Sequence, residues 1–357
     1  MFGADWDSYL KPPAVPVAAH RAKSAGAFAG QKDNIGKLCG ILHPATIVCM
    51  GSGYLNDIPL DDMIAVNADI YFAEWIDGIT QQAFHYDLVR QIADRFICLA
   101  CQCSGDPTKY CRNYFVAERG LTAAAAADAS ADHCDNFLRA EDSECPSCAN
   151  FSAGTFPRFF HADVTQGVAQ NFAAQIPAIL KRAGKPRQAF RYAIHASAQA
   201  RGKALLPLPD HSVDFITSSM VASQFDFEPY GYFVHSLFLR FGREGVERNR
   251  DALNPLVESL RDSLFLAQIE GHCREMLRLV KPEGRIYFSI ETLHSGGPAE
   301  PYFQAEVACK AMSIIGRYFY FDLETLPDII TPAHAAMVAG GRSVIQSWLL
   351  LPKSSRN

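Results

Sequence analysis

The 357-residue chain has no long apolar run, no excess of basic residues and no leader-like start. Its longest apolar runs, such as residues 347–352, are far too short to cross a bilayer. Lys and Arg number 33 against 38 Asp and Glu, a net charge of −5, so no basic excess is present to neutralise a phosphate backbone. Residues 1–7 contain neither a basic nor an apolar segment. We therefore expect a cytoplasmic protein whose partners include neither nucleic acid nor membrane.

The composition is that of a folded protein. Hydrophobic residues make up 49% of the chain and charged residues 20%, which excludes disorder as its dominant state. From residue 45 onwards, short β-branched and aromatic runs alternate with segments of helical periodicity. The runs that predict strands are residues 45–50, 68–73, 156–162, 212–219, 285–290, 318–322 and 343–351. The alternation predicts an α/β fold: a doubly wound, mostly parallel seven-stranded sheet with helices on both faces and a cysteine-rich insertion.

The length suggests about two domains, or one large domain with an insertion. We expect an N-terminal extension over residues 1–44, a main domain formed by residues 45–97 and 150–357, and a cysteine-rich insertion over residues 98–149. Four residues with helical spacing, Phe84, Leu88, Ile92 and Phe96, predict a helix just before the insertion.

The insertion contains seven of the eleven cysteines. They are Cys98, Cys101, Cys103, Cys111, Cys134, Cys145 and Cys148. Two pairs have the CxxC spacing that lets two thiolates bind one ion, and His133 offers a spare ligand. This pattern predicts structural zinc that stabilises a segment with little apolar core of its own. Reduced free thiols, local disulfides and another metal cluster remain alternatives.

A glycine turn follows the first predicted strand. Gly51 and Gly53 would let the backbone approach a ligand closely, because neither has a Cβ. Glu74 ends the next strand about 20 residues later, where an acid can bind a ribose diol. Asn56 stands where a dinucleotide fingerprint would have its third glycine. A plain tight turn with a solvated acid explains the same residues, so this pattern alone does not decide between the two.

The later motifs extend the pattern. An acid, Asp163, follows the third strand, a P-x-x-x-x-S-x-D run lies within residues 206–219, and a Lys-Pro-Glu-Gly turn lies within residues 277–286. Together, in this order, the motifs resemble those of the class I S-adenosylmethionine-dependent methyltransferase family. The first motif is similar to that of a bacterial subset with a G-x-G-x-x-N-D turn. The resemblance covers roughly residues 45–351, with the insertion outside it.

The resemblance implies a role for each matching residue. The turn residues would pack against the methionine part of the cofactor, and Glu74 would bind the ribose hydroxyls. Asp163 would bind the adenine amino group, and Ser218 would lie next to the reactive sulfonium. The full set implied for cofactor binding is Gly51, Ser52, Gly53, Glu74, Trp75, Ile76, Asp163, Val164 and Ser218.

The sequence is less specific about the residues that would bind the methyl acceptor than about those that would bind the cofactor. The aromatic-rich residues 225–235 follow the fourth strand, and in the family that loop faces the acceptor. We expect Ser219, Tyr230 and His235 to act in catalysis, with His294 as a further candidate base. Aromatic residues that pack in the core and histidines with a structural role explain the same stretch.

The sequence thus predicts an enzyme that transfers a methyl group from S-adenosylmethionine, with a small-molecule acceptor favoured and a protein acceptor possible. One alternative is a non-catalytic, metal-stabilised binding or scaffold protein on a methyltransferase-like fold. Another is a nicotinamide-dependent oxidoreductase, which the missing third glycine and the late motifs disfavour.

Overall fold

The computed structural model describes most of the main domain. The described residues are 6–10, 28–66, 68–75, 79–80, 83, 122, 157–203, 205–295, 302–303, 305–322, 331, 333–338 and 341–353. The predicted helix over residues 84–96 lies outside them, as does the predicted insertion apart from residue 122.

The strands form one mixed sheet. Their bounds are β1 Thr46–Met50, β2 Asp69–Glu74, β3 Arg158–His161, β4 Val213–Ser219, β5 Val280–Ser295, β6 Tyr302–Phe303, β7 Phe319–Phe321, β8 Ala333–Val338 and β9 Gly341–Pro352. Seven of them run side by side in the order β3-β2-β1-β4-β5-β9-β7. The first five are parallel, and β9 is antiparallel to both of its neighbours. The predicted mostly parallel seven-stranded sheet is confirmed, and the short strands β6 and β8 add to it at β5 and β9.

Helices connect the strands. Their bounds are α1 Trp6–Tyr9, α2 Ala29–Leu42, α3 Leu60–Ala65, α4 Val168–Arg182, α5 Pro186–Gln199, α6 Phe227–Phe241, α7 Arg243–Glu247, α8 Arg250–Leu279 and α9 Ala305–Tyr318. A 3₁₀ turn at Val221–Gln224 precedes α6. None of the helices in the described ranges is long and apolar enough to span a membrane.

Both faces of the sheet are covered, as predicted. In β1, Ile47 and Cys49 are buried in the core formed with α2 and α3, whereas Val48 and Met50 are buried in the core formed with α8 and α9. Successive residues of a strand point to opposite faces, so a run of apolar residues without alternation is what a doubly covered strand requires. A third apolar cluster joins α4, α5 and α6 to the first half of α8.

The fifth strand differs from the prediction. The sequence predicts a turn at residues 281–284, but β5 already begins at Val280. Its pairing with β4 moves from Val213–Val280 to Phe215–Arg285, so two residues along β4 correspond to five along β5. The predicted turn is therefore a bulge in a continuous strand. Gly284 permits it, because a Cβ there would lie 2.7 Å from Val280 Cγ2.

Candidate functional site

The strand order reverses between β1 and β4. The chain builds β1, β2 and β3 outwards in one direction, then returns to place β4 and β5 on the other side of β1. In open α/β sheets, a crevice at the carboxyl ends of the strands forms at such a reversal and binds ligands. Those predicted cofactor residues that the structure describes lie at or just after the carboxyl ends of β1, β2, β3 and β4, so this topology brings their backbones to one end of the sheet.

The glycine turn has the strained geometry that glycine allows. Gly51 and Gly53 have φ angles of 68° and 45°. The N–H of Gly51 donates to the carbonyl of Ala73 over 2.8 Å, and the N–H of Gly53 donates to Glu74 Oε2 over 2.6 Å. These amides are thus bonded to the end of β2 and hold the turn against Glu74.

The turn is braced from the side by two hydroxyl groups. Thr80 Oγ1 donates to the carbonyl of Gly53 over 2.9 Å, and Ser52 Oγ lies 3.0 Å from Thr80 Oγ1. Because the single Thr80 hydroxyl proton is used on the carbonyl, Ser52 is the donor in the second bond. Ser52 is buried, so in this structure its side chain stabilises the loop.

A cavity of about 400 Å³ lies beside the ends of β2 and β3. It is lined by Trp6, Trp75, Phe159, Phe160, His161, Ala162, Asp163, Gln170, Leu205 and Pro207. Its volume falls in the range of small-molecule pockets. The structure therefore brings Trp75 and Asp163, both predicted to bind the cofactor, to one concave surface.

Asp163 is a buried carboxylate, and both of its oxygens accept hydrogen bonds. Oδ1 accepts hydrogen bonds from the N–H and the hydroxyl of Thr165, and Oδ2 accepts one of 3.4 Å from the N–H of Gln170. Burial raises the pKa of Asp163, and the hydrogen bonds from Thr165 oppose that rise. The carboxylate therefore orders the start of α4 and also forms part of the cavity wall.

His272 links two of the predicted cofactor residues. Its Nδ1 lies 2.9 Å from the carbonyl oxygen of Val164, and its Nε2 lies 2.8 Å from Ser218 Oγ. A carbonyl can only accept, so Nδ1 carries the proton, and Nε2 then accepts from the Ser218 hydroxyl. Burial lowers the pKa of His272 to about 4, which keeps the ring neutral. The sequence analysis did not identify this residue.

The end of β4 is closed by side chains. Ser218 is fully buried against His272, and Ser219 Oγ lies 3.2 Å from Ser289 Oγ. A Cβ on Gly51 would overlap Cγ2 of Val221, so the side chain of Val221 packs directly against this glycine. The space that the missing Cβ of Gly51 leaves is therefore filled by the Val221 side chain, where the sequence analysis expected a ligand.

Tyr230 and His235, predicted to act on the acceptor, contact residues other than Ser219. The Tyr230 ring lies under the guanidinium of Arg261, 5.7 Å from it, and burial raises the pKa of Tyr230. His235 is exposed, and its ring lies 6.0 Å from that of Tyr9. None of the hydrogen bonds or ring contacts seen among the described residues joins either side chain to Ser219.

Several predicted site residues cannot be placed. Ile76 and the seven cysteines of the insertion lie outside the described residues, and the side chain of His294 does too. Within the described ranges, no group of three His, Cys, Asp or Glu residues could hold a metal ion. The predicted zinc site therefore stays a prediction.

Comparisons with known proteins add little. No family model and no curated protein matches the chain. A structural neighbour is the PH0226 protein from Pyrococcus horikoshii OT3, which is 7% identical over 89% of each chain, with a TM-score of 0.34. A likeness this distant carries no argument about activity.

Proposed function

We propose that this protein transfers a methyl group from S-adenosylmethionine to an acceptor. The observation that carries the proposal is the cavity beside β2 and β3, because its wall contains Asp163 and Trp75, the residue that follows Glu74 in the chain. An aromatic ring and a buried carboxylate are what a planar base with an exocyclic amino group needs. Glu74 lies at the carboxyl end of β2, where the resemblance assigns the ribose.

The sheet disfavours the nicotinamide alternative. A dinucleotide-binding sheet of the 3-2-1-4-5-6 type continues beyond its fifth strand with another parallel strand. Here β9 occupies that place and runs antiparallel to β5. Asn56 also replaces the third glycine of the fingerprint.

Methyl transfer from a sulfonium requires mainly that the protein binds and orients the two reactants. A bound sulfonium supplies an already activated methyl group. The chain then has to orient the two reactants and exclude water, and orientation alone can supply much of the rate. In this role Glu74 and Asp163 would hold the nucleoside, and residues 225–235, which include Tyr230, would position the acceptor. We propose a small-molecule acceptor in the cytoplasm, because the net charge of −5 does not suit nucleic acid.

A second candidate is a binding or scaffold protein without turnover. It is favoured by the closed end of β4, where Val221 packs on Gly51 and the hydroxyl of Ser218 is bonded inside the core. On this view, the cavity beside β2 and β3 binds a nucleoside, and no methyl group reaches an acceptor.

Binding and turnover should be measured separately. Titration calorimetry should show binding of S-adenosylhomocysteine, and Glu74→Ala should weaken it about 10- to 100-fold, because it removes two hydrogen bonds to the ribose and also the acceptor of the Gly53 N–H that holds the turn. The matched control is Glu244→Gln, which changes an acid whose side chain is 91% exposed. Transfer of a labelled methyl group to a component of a cell extract would then support the enzyme. Binding without transfer to any extract favours the scaffold, and wild-type protein without binding refutes both.

A further inference from the structure

The N-terminal helix α1 packs by its aromatic side chains onto the candidate site. The Trp6 ring contacts Trp75 at 5.3 Å and Tyr232 at 5.0 Å between centroids, both edge to face. Tyr9 stacks on Trp6 from the same helix and also contacts Tyr232. These contacts fix the position of the Trp6 indole between the end of β2 and helix α6.

Tyr9 approaches α6 at the one glycine of that helix, Gly231. A Cβ on Gly231 would lie 2.5 Å from Tyr9 Oη. Glycine inside a helix is unfavourable by about 0.5–1 kcal/mol relative to alanine, so at this position it serves the close approach of α1. The docking of α1 is therefore a specific contact.

The indole of Trp6 has an unused donor. The residue is 8% exposed and forms part of the cavity wall, yet among the described residues its Nε1–H has no hydrogen-bond partner. Leaving a buried donor unpaired is unfavourable. Trp6 lines the cavity but its Nε1 is closed to solvent, so a ligand bound there could accept the hydrogen bond after a shift of the ring towards it.

We propose that Trp6 is a ligand-binding residue that donates its indole N–H to the nucleoside half of the bound ligand. This inference rests on the proposed function for the identity of that ligand. Nitrogen and oxygen atoms of a purine nucleoside supply suitable acceptors, and its base can pack against the part of the cavity wall that Trp6 and Trp75 form together, since the two rings contact each other. No sequence motif includes Trp6, which lies in the segment predicted as an extension before the main domain.

The donated bond can be observed directly. The chain has three tryptophans, so a ¹H–¹⁵N spectrum contains three indole signals, and Trp6→Phe identifies one of them. Addition of adenosine or S-adenosylhomocysteine should move the Trp6 signal downfield, because its proton enters a hydrogen bond. The signal of Trp348, which packs on Phe288 in the sheet, serves as the internal control.

Affinity gives the second measurement. Trp6→Phe keeps an aromatic ring but removes the N–H, and we expect S-adenosylhomocysteine to bind about 3- to 10-fold more weakly. Tyr320→Phe is the control, with unchanged affinity expected, because this ring is 56% exposed on β7 and does not line the cavity. Trp6→Phe protein that binds as tightly as wild type, or a Trp6 signal that stays in place at saturation, overturns this inference and leaves the proposed function intact.

The two ligands separate the two proposals. Adenosine binding that depends on Trp6, without binding of S-adenosylhomocysteine, would support the role of Trp6 and refute methyl transfer. Wild-type protein that binds neither ligand refutes both.

Discussion

His272 should make the stability of the protein depend on pH. The folded state holds the ring neutral, with a pKa of about 4, because it is buried between Val164 and Ser218. In the unfolded chain the pKa returns to about 6.5. Between these two values the unfolded state binds more protons than the folded state, so protonation favours unfolding. Stability from this group is therefore complete above pH 6.5 and is lost as the pH falls towards 4.

The size of the effect follows from the two pKa values. A gap of about 2.5 pH units corresponds to about 3 kcal/mol over the whole window. Between pH 7.5 and pH 5, this group alone should lower the free energy of unfolding by about 2 kcal/mol. Carboxylates titrate in the same region, so the wild-type curve alone cannot isolate the histidine.

A variant isolates the contribution. His272→Gln keeps a donor and an acceptor near Val164 and Ser218 but cannot be protonated. At pH 7.5 we expect it to be about 1–3 kcal/mol less stable, because the hydrogen bonds and the contact with Phe225 are imperfectly replaced. Towards pH 5 the two curves should converge. Urea unfolding at several pH values measures this, with exposed His195→Gln as the control. Parallel curves for wild type and His272→Gln would refute the reasoning.

Two further predictions concern a buried ion pair and the cysteines. Arg278 is bonded to Glu275, a carboxylate that is 1% exposed, and to the carbonyl of Leu206. Arg278→Ala should cost about 3–5 kcal/mol in urea unfolding, and the double variant Glu275→Gln/Arg278→Met should recover part of it; equal losses would show that the buried charge is not the cause. Protein purified without chelator should contain at least one zinc per chain by elemental analysis, and less after Cys101→Ser or Cys148→Ser. Metal-free wild-type protein would favour free thiols.

The main strands could be predicted because burial on both faces leaves a local signature. The runs at residues 46–50 and 213–219 contain several β-branched residues and are almost entirely buried, and each ends at a turn or a small residue. β8 was missed because Ala333–Val338 is rich in alanine, which has a low strand propensity, and only its pairing with β9 makes it a strand. In β5, the Lys-Pro-Glu-Gly residues are the ones that do not pair with β4, so the predicted turn became a bulge within a longer strand. For β8, a long-range contact decided the local structure.

The site residues that the sequence analysis missed have no local motif. His272 lies within a 30-residue helix, 54 positions from Ser218, and Trp6 lies far along the chain from Trp75. Their roles arise only when the sheet brings the strand ends together. Gly51 is the opposite case, a residue with a clear motif whose packing partner the sequence did not predict. The pattern correctly indicated a backbone position that excludes a Cβ, but the group packed against it is Val221. A glycine motif therefore specifies a close approach, and the fold determines which group makes it.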